Sequence, residues 1–468
     1  MRTTYDVIVI GAGPAGEVLA GRLSQQGYAV AIVESDLVGG ECSYFACMPS
    51  KALLRPGQAL AEVRRVPGAA QAVSGGLDVD AILRRRDAIV GQLDDAGQVP
   101  WLENRGIELI RGHARLNGER CVRVGESIYE ARLAVVIAVG TRAALPPIPG
   151  LAEAAPWTNR EVTTTGRVPR RLIVLGGGVV GVEMAEAFTS LGAQVVVIEA
   201  ESRLIPREEP FAAEELRKAL TERGVEVRVA VRAERVHRED GAVRVQLSDG
   251  TTVAGDELLV AVGRRPLTHD LGLETVGLEP GKFIDVDDQL RVPGVPWLHA
   301  IGDVNGRSLL THAGKHQAYV LSEILAGRRT AGVAADVDPP RVIFTEPQVA
   351  AVGLSLQAAL DRGLDARAYD VPSSSTAGAS FHGRNTIGTT RIVVDEQEGV
   401  IVGATFTGTD VAEWLHAATI AIVSRISIER LWEAIPAFPT RSEVWLKLLE
   451  HREAQLTAEQ HWTDAVAA

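Results

Sequence analysis

The 468 residues predict an α/β protein in three parts: two copies of one strand–helix–strand unit, then a C-terminal α+β part that lacks it. Two observations carry this. Residues 7–34 read VIVIGAGPAGEVLAGRLSQQGYAVAIVE and residues 172–199 read LIVLGGGVVGVEMAEAFTSLGAQVVVIE. A β-branched strand, a glycine turn, an amphipathic helix and a second apolar strand ending in an acid therefore occur twice. Beyond about Pro340 the pattern changes to strands at 341–343, 390–394 and 400–407 and later helices, with no such glycine turn.

In the first unit Gly11, Gly13 and Gly16 follow a strand and open a helix, with Pro14 and Ala15 between the last two; in the second, Gly176, Gly178 and Gly181 do the same. The first glycine permits a tight turn, the second lets backbone N–H groups approach a pyrophosphate at the positive helix end, and the third lets helix and strand pack closely. The closing acids, Glu34 and Glu199, each lie 23 positions after the first glycine, near the spacing of about 20 at which a carboxylate meets an adenosine ribose. Two Rossmann-type domains, and so two dinucleotides, are predicted.

The other elements follow in order. Residues 224–262 alternate as strands and carry Asp240-Gly241 and Asp249-Gly250, both hairpin signals, so a β-meander should complete the second nucleotide domain. Trp297 to Asp303 and a helix after Thr311 read as a return to the first domain. The expected division is 1–149, 150–269, 270–337 and 338–468.

Composition narrows the function. A hydrophobic fraction of 46% and a charged fraction of 23% are ordinary for a globular protein. A net charge of −12 argues against a nucleic-acid or anionic-membrane partner. The longest apolar stretches, such as Leu133 to Gly140, fall short of the roughly 18 residues of a membrane span. The N-terminal strand runs into the glycine turn without a small-residue cleavage site, so a cytoplasmic protein is expected. Three cysteines make no disulfide framework, and nothing suggests a metal site.

Two of the cysteines are close together in Gly39-Gly40-Glu41-Cys42-Ser43-Tyr44-Phe45-Ala46-Cys47-Met48-Pro49-Ser50-Lys51. Five residues of straight helix rise about 7.5 Å, beyond the roughly 7 Å Cα limit for a disulfide. A bond between them needs a distorted turn, and Pro49 helps because its missing N–H leaves the Phe45 carbonyl without a helical donor. From the pair alone, two buried free thiols and a redox pair both stand.

The pattern Gly-Gly-x-Cys-x₄-Cys-x-Pro-Ser-Lys after such an N-terminal unit resembles the pyridine nucleotide-disulfide oxidoreductases, the family of dihydrolipoamide dehydrogenase, glutathione reductase and mercuric reductase. The resemblance spans nearly the whole chain. It includes Gly112-His113-Ala114, Ala138-Val139-Gly140-Thr141, Ala261-Val262-Gly263-Arg264, Gly302-Asp303, Val342 to Pro347 and Pro439-Thr440-Arg441-Ser442-Glu443 in the family's order.

The resemblance implies an FAD flavoprotein that takes a hydride from NADH and passes electrons through a Cys42–Cys47 redox disulfide to a disulfide or other acceptor. FAD would lie against Gly11 to Gly16, Glu34, Gly40, Lys51, Ala114, Gly140, Asp303 and Thr311. NADH, ahead of NADPH, would lie against Gly176, Gly178, Gly181, Glu199 and Gly263, with Arg203 leaving some room for NADPH. Cys47 would stack on the flavin, Cys42 would attack the acceptor, and Lys51 would pair with Glu183 beside flavin N5. The helix from Thr311 would aim its dipole at the flavin, and His312 reads better as an ordinary polar core residue than as a catalytic one. Cys121 matches nothing. The C-terminal part resembles the family's dimerisation domain, which implies a homodimer.

The pattern breaks at one position. The family's disulfide reductases carry His-Pro-Thr-x-Ser-Glu, in which the histidine is the acid–base group; here Phe438 stands in its place. Exchange between dithiol and disulfide needs proton transfer, which phenylalanine cannot perform. Glu443 keeps a catalytic reading, although Thr440-x-x-Glu443 also reads as a capping box for a helix start. Two other functions stay open: a quinone reductase, diaphorase or transhydrogenase working directly from flavin, against which the two cysteines speak, and a flavin-binding partner without turnover. Mercuric reduction is disfavoured because no C-terminal cysteine pair exists.

Overall fold

The computed structural model describes residues 2–333, 337–383 and 386–467. The expected parts beginning at 1 and 270 and ending at 468 include Met1, 334–336, 384–385 and Ala468, which lie outside the described residues. The first duplicated unit builds a parallel sheet. Strand Thr4–Ile10 lies between Val30–Glu34 and Ser127–Ile137; Glu108–Arg111 continues one side and Val295–Ala300 the other, all parallel. Parallel strands have both faces covered, which is why Val7, Ile8 and Val9 are all buried. The predicted return to this domain is strand Val295–Ala300, followed by helix Thr311–Leu325 beside helix Pro14–Gln25.

The second unit repeats the plan with parallel strands in the order Glu226–Arg228, Gln194–Ile198, Arg171–Leu175 and Glu257–Val260. The predicted meander is present as Ala233–Glu239, Ala242–Leu247 and Thr252–Gly255. Asp240 and Gly241 both have positive φ, as a two-residue primed turn demands. The meander is shorter than 224–262, because the strands at the two ends of that range join the parallel sheet. It serves as the crossover that a helix provides elsewhere.

The C-terminal part is an antiparallel five-stranded sheet, ordered Arg341–Ile343, Gln348–Gly353, Val400–Gly408, Thr389–Asp395 and Ala366–Pro372. Gln348–Gly353 and Ala366–Pro372 join the three strands expected there. Helices Val411–Val423 and Val444–Ala467 pack on the sheet. Among the described residues no helix is long and apolar enough to cross a membrane.

Candidate active site

The two glycine turns repeat atom for atom. A Cβ on Gly11 (φ +104°) would lie 2.5 Å from the Ala138 carbonyl oxygen, and one on Gly176 (φ +109°) 2.5 Å from that of Ala261. A Cβ on Gly16 would meet the Gly11 oxygen at 2.0 Å, and one on Gly181 the Gly176 oxygen at 1.9 Å. Gly13 and Gly178 face open space at the helix N-termini, where a pyrophosphate would sit. The acids also match: Glu34 accepts from Ala12 N at 2.7 Å and Asp36 N at 2.7 Å, and Glu199 from Gly177 N at 2.6 Å and Glu201 N at 2.8 Å. Each carboxylate thus braces the turn its nucleotide would occupy.

The first turn opens onto a cleft of about 720 Å³, the size range of a cofactor site. Gly11, Gly13, Pro14, Ala15, Glu34, Gly40, Cys42, Ala114, Gly140, Asp303 and Thr311 all line it. Gly16 stands behind, in the helix–strand packing, and Gly40 comes so close that its Cβ would lie 2.9 Å from Gly13 Cα. An extended dinucleotide fits this cradle. Asp303 is half-buried, and its lost solvation pushes the carboxyl up, while the Thr141 hydroxyl donated at 2.8 Å and the Arg264 guanidinium pull it down. Arg264 donates to both the hydroxyl (2.6 Å) and the carbonyl (2.7 Å) of Thr141 and reaches Glu41 at 3.3 Å. Thr141 and Arg264 belong to motifs quoted above, yet their joint role depends on the antiparallel pairing of Thr141–Ala143 with Arg264–Pro266, 120 residues apart in sequence and invisible to spacing.

The cysteines lie where the helix breaks. Helix Gly40–Tyr44 ends at Phe45 (φ −132°, ψ 0°), Ala46 is non-helical (φ −137°, ψ −95°), and helix Cys47–Arg65 begins anew. Pro49 leaves the Phe45 carbonyl free as expected, and Asn159 Nδ2 (2.9 Å) and Thr163 Oγ1 (3.2 Å) donate to it instead. No sequence signal pointed to these two. Glu41 is fixed by Asn159 (2.7 Å) and Arg160 (2.5 Å), whose guanidinium stacks 4.1 Å from the Phe45 ring. Both cysteines stand unbridged, with a hydrogen bond between their side chains. Cys47 is the more acidic of the two. The hydrogen bond from Cys42, another from Thr311 Oγ1 at 3.4 Å and the charge of Lys51 outweigh its burial and hold it down to about 6. The same bond to Cys47, with burial, pushes Cys42 up.

Lys51 pairs with Glu183 through both carboxylate oxygens, at 3.1 and 2.8 Å. Glu183 is 2% exposed and also accepts from Phe344 N at 2.9 Å, tying all three parts together at the sulfur pair. Lys51 itself stands outside the walls of the cleft. In the second unit, Gly263 adopts positive φ and its carbonyl accepts from Ala144 N. Arg203 points its guanidinium at the Pro206 and Glu208 carbonyls, 2.8 and 3.5 Å away, and so braces its own loop.

Around Phe438 one expectation changes. Thr440 makes no capping box: its hydroxyl donates to the Ala437 carbonyl at 2.6 Å, and residues Arg441–Glu443 form a 3₁₀ turn before the helix. Glu443 is left with a buried carboxylate oxygen that has no hydrogen-bond partner among the described residues. Phe438 itself is 76% exposed. His312 bonds through Nε2 to the Pro340 carbonyl at 2.5 Å from an exposed position, so it is not the core residue expected.

Comparison with known proteins gives the family. The family model described as pyridine nucleotide-disulphide oxidoreductase matches residues 5–318, and that of the family's dimerisation domain matches 339–449. Dihydrolipoyl dehydrogenase 3 of Pseudomonas aeruginosa is 36% identical, covering 95% of this chain and 97% of its own length. Dihydrolipoyl dehydrogenase of Thermus scotoductus is 32% identical, with 96% and 98% covered. Among solved structures, the HOCl-induced flavoprotein disulfide reductase RclA of Escherichia coli superposes with a TM-score of 0.85 at 25% identity, with 95% of this chain and 99% of that one covered. The chain therefore belongs to the pyridine nucleotide-disulphide oxidoreductase family, as an NAD(P)H-dependent FAD enzyme of the disulfide reductase type that carries the family's dimerisation domain.

Proposed function

We propose that this enzyme carries reducing equivalents from NADH through the Cys42–Cys47 dithiol to a disulfide or another soft acceptor, working as a cytoplasmic homodimer. The observation that carries the reading is the placement of Cys47 Sγ 3.4 Å from Thr311 Oγ1, at the mouth of a helix that opens on the cleft Cys42 also lines. In this reading 1–149 and 270–337 hold FAD, 150–269 holds the nicotinamide nucleotide and 338–468 forms the dimer contact. FAD supplies two-electron chemistry between the nicotinamide and the sulfur pair.

The residues divide the work as follows. Gly11, Gly13, Pro14, Ala15, Gly40 and Gly140 give FAD a backbone cradle, Glu34 meets its ribose with Ala114 at the same end, and Asp303 and Thr311 bound the far end. Gly176, Gly178, Gly181, Glu199 and Gly263 do the corresponding work for NADH. Glu199 would repel a 2′-phosphate, and Arg203, engaged with its own loop, gives little help to one. Lys51, braced by Glu183, keeps Cys47 ionised, while Cys42 retains the proton until it meets the acceptor.

Phe438 shapes the acceptor range. General acid–base groups contribute about 10² to 10⁴ in rate, so disulfide turnover should be slow for the family, whereas a quinone, which needs no proton at sulfur, should suffer less. Glu443, its oxygen unpartnered, could orient an imidazole restored beside it. Anaerobic addition of NADH should release two thiols per subunit, and Phe438→His should raise the rate on a small aromatic disulfide at least tenfold without a matching gain on a quinone. If NADH releases no thiols while quinone turnover is fast, transfer runs directly from flavin and the dithiol reading fails.

A further inference from the structure

The backbone ladder across the sulfur pair has a gap. Phe45 N donates to the Glu41 carbonyl at 2.8 Å and Ser50 N to the Ala46 carbonyl at 3.1 Å, so helical bonding runs up to the break and resumes directly after it. Between them the Phe45 carbonyl has no helical donor, since Pro49 lacks an N–H. A carbonyl away from water needs a partner, and whatever supplies one acquires leverage over the shape of the segment.

That partner comes from the second nucleotide domain. Helix Asn159–Thr164 is short, yet both its ends are fixed: Thr158 and Glu161 form a capping box at its start, and Arg86, 0% exposed, donates to the carbonyls of Thr163 (2.6 Å) and Thr165 (2.9 Å) at its end. Asn159 is buried, and the two hydrogens of its amide divide between Phe45 O at 2.9 Å and Glu41 Oε2 at 2.7 Å. One side chain thus grips the residue just before Cys42 and the residue two before Cys47. The Thr163 hydroxyl stands one turn on, 3.2 Å from the Phe45 oxygen and 2.7 Å from that of Asn159.

We propose that Asn159, seconded by Thr163, is a positioning residue that holds the segment between the cysteines in the shape the disulfide needs, and so favours disulfide over dithiol. The proposal rests on the dithiol reading above. Its sign follows from an asymmetry between the two redox states. Five residues of straight helix keep the Cα atoms beyond disulfide reach, so the bridged pair requires the break. The S–S bond enforces that shape whether or not the Phe45 carbonyl has a partner, whereas the dithiol is free to move until the carbonyl finds another. Loss of the Asn159 donors therefore penalises the oxidised form more than the reduced one. With Asn159 in place the dithiol is the stronger reductant and passes its two electrons on more readily.

The test equilibrates the flavin-loaded enzyme anaerobically at pH 7 with mixtures of reduced and oxidised dithiothreitol. The Cys42–Cys47 bond opens as the dithiothreitol ring closes; two electrons and the thiol protons pass between them. Rapid alkylation followed by peptide mass spectrometry gives the dithiol fraction. Asn159→Leu keeps the size of the side chain without its donors and should move the equilibrium toward dithiol about tenfold or more, about 30 mV. Thr163→Val should move it the same way by about three- to fivefold. A loss of packing alone lowers the melting temperature and leaves this equilibrium in place. An equilibrium within about twofold of wild type in both variants, or one moved toward the disulfide, overturns the proposal. If Asn159→Leu does not fold, Thr163→Val decides by the same criterion. Absence of thiols after NADH in wild type overturns the dithiol reading instead.

Discussion

The two nucleotide turns share one backbone geometry, yet only the first opens on the deep cleft. Gly11 and Gly13 line it, whereas Gly176, Gly178 and Gly181 do not. The difference lies in what arrives from elsewhere. Gly40, Gly140, Asp303 and Thr311 converge on the first turn from segments spread over 270 residues, and the Arg264–Thr141 contact closes it from the second domain. A local sequence of about 28 residues specifies how a pyrophosphate is held; remote segments decide whether the nucleotide is enclosed. The first site suits a cofactor that stays, the second a nucleotide that comes and goes.

The largest expected effect separates the sites outright. Gly16→Ala and Gly181→Ala place a methyl at 2.0 and 1.9 Å from a carbonyl oxygen, closer than packing tolerates, so each backbone must shift. Gly16→Ala should purify without flavin and unfold at a markedly lower temperature. Gly181→Ala should stay yellow but lose at least about 100-fold in kcat/KM for NADH, about 3 kcal/mol. If both variants lose flavin equally, the two turns are not independent and the comparison breaks.

Much of this was legible in the sequence, because it depends on short-range physics. The duplicated units, the meander turns at 240–241 and 249–250, and the helix break that Pro49 forces before Cys47 all follow from neighbours along the chain. What escaped depends on distant partners. Asn159 and Thr163 capture the freed Phe45 carbonyl from over 100 residues away. Strands Gln348–Gly353 and Ala366–Pro372 show less β-branched patterning than their neighbours and are fixed by the sheet around them. Thr440 had the spacing of a cap, but the turn at Ala437 took its hydroxyl first.

A smaller effect sharpens the comparison at the two acids. Glu34→Gln and Glu199→Gln keep one acceptor oxygen for the turn but lose the charge. Enclosure should hide the change in the first site, so Glu34→Gln should retain flavin with a few-fold faster release. In the second site the proposed discrimination rests on the charge of this acid, so Glu199→Gln should narrow the preference for NADH over NADPH by about 10- to 30-fold, about 1.4 to 2 kcal/mol. The ratio of kcat/KM for the two nucleotides measures it. An unchanged ratio would remove Glu199 from nucleotide selection.

The smallest effect concerns the contact that encloses the first site. Arg264→Met removes the donors to Thr141 and leaves Asp303 and Glu41 without their shared cation. The loss should be about 1 to 3 kcal/mol at neutral pH, seen as a lower melting temperature and faster flavin release. Its pH dependence has a definite sign. Burial already raises the Asp303 carboxyl above its ordinary 3.8, so folding favours the neutral form; removing Arg264 raises it further. A raised folded value means stability that is present below the unfolded value and lost as pH rises through the folded one. The variant's deficit should therefore be full at pH 7 and shrink as pH falls toward 4, because protonation of Asp303 removes the need for the guanidinium. Melting temperatures of wild type and variant across that range decide the point: a constant gap would mean that Arg264 encloses the cleft through its neutral bonds to Thr141 alone, and that charge has no part in what distinguishes the first site from the second.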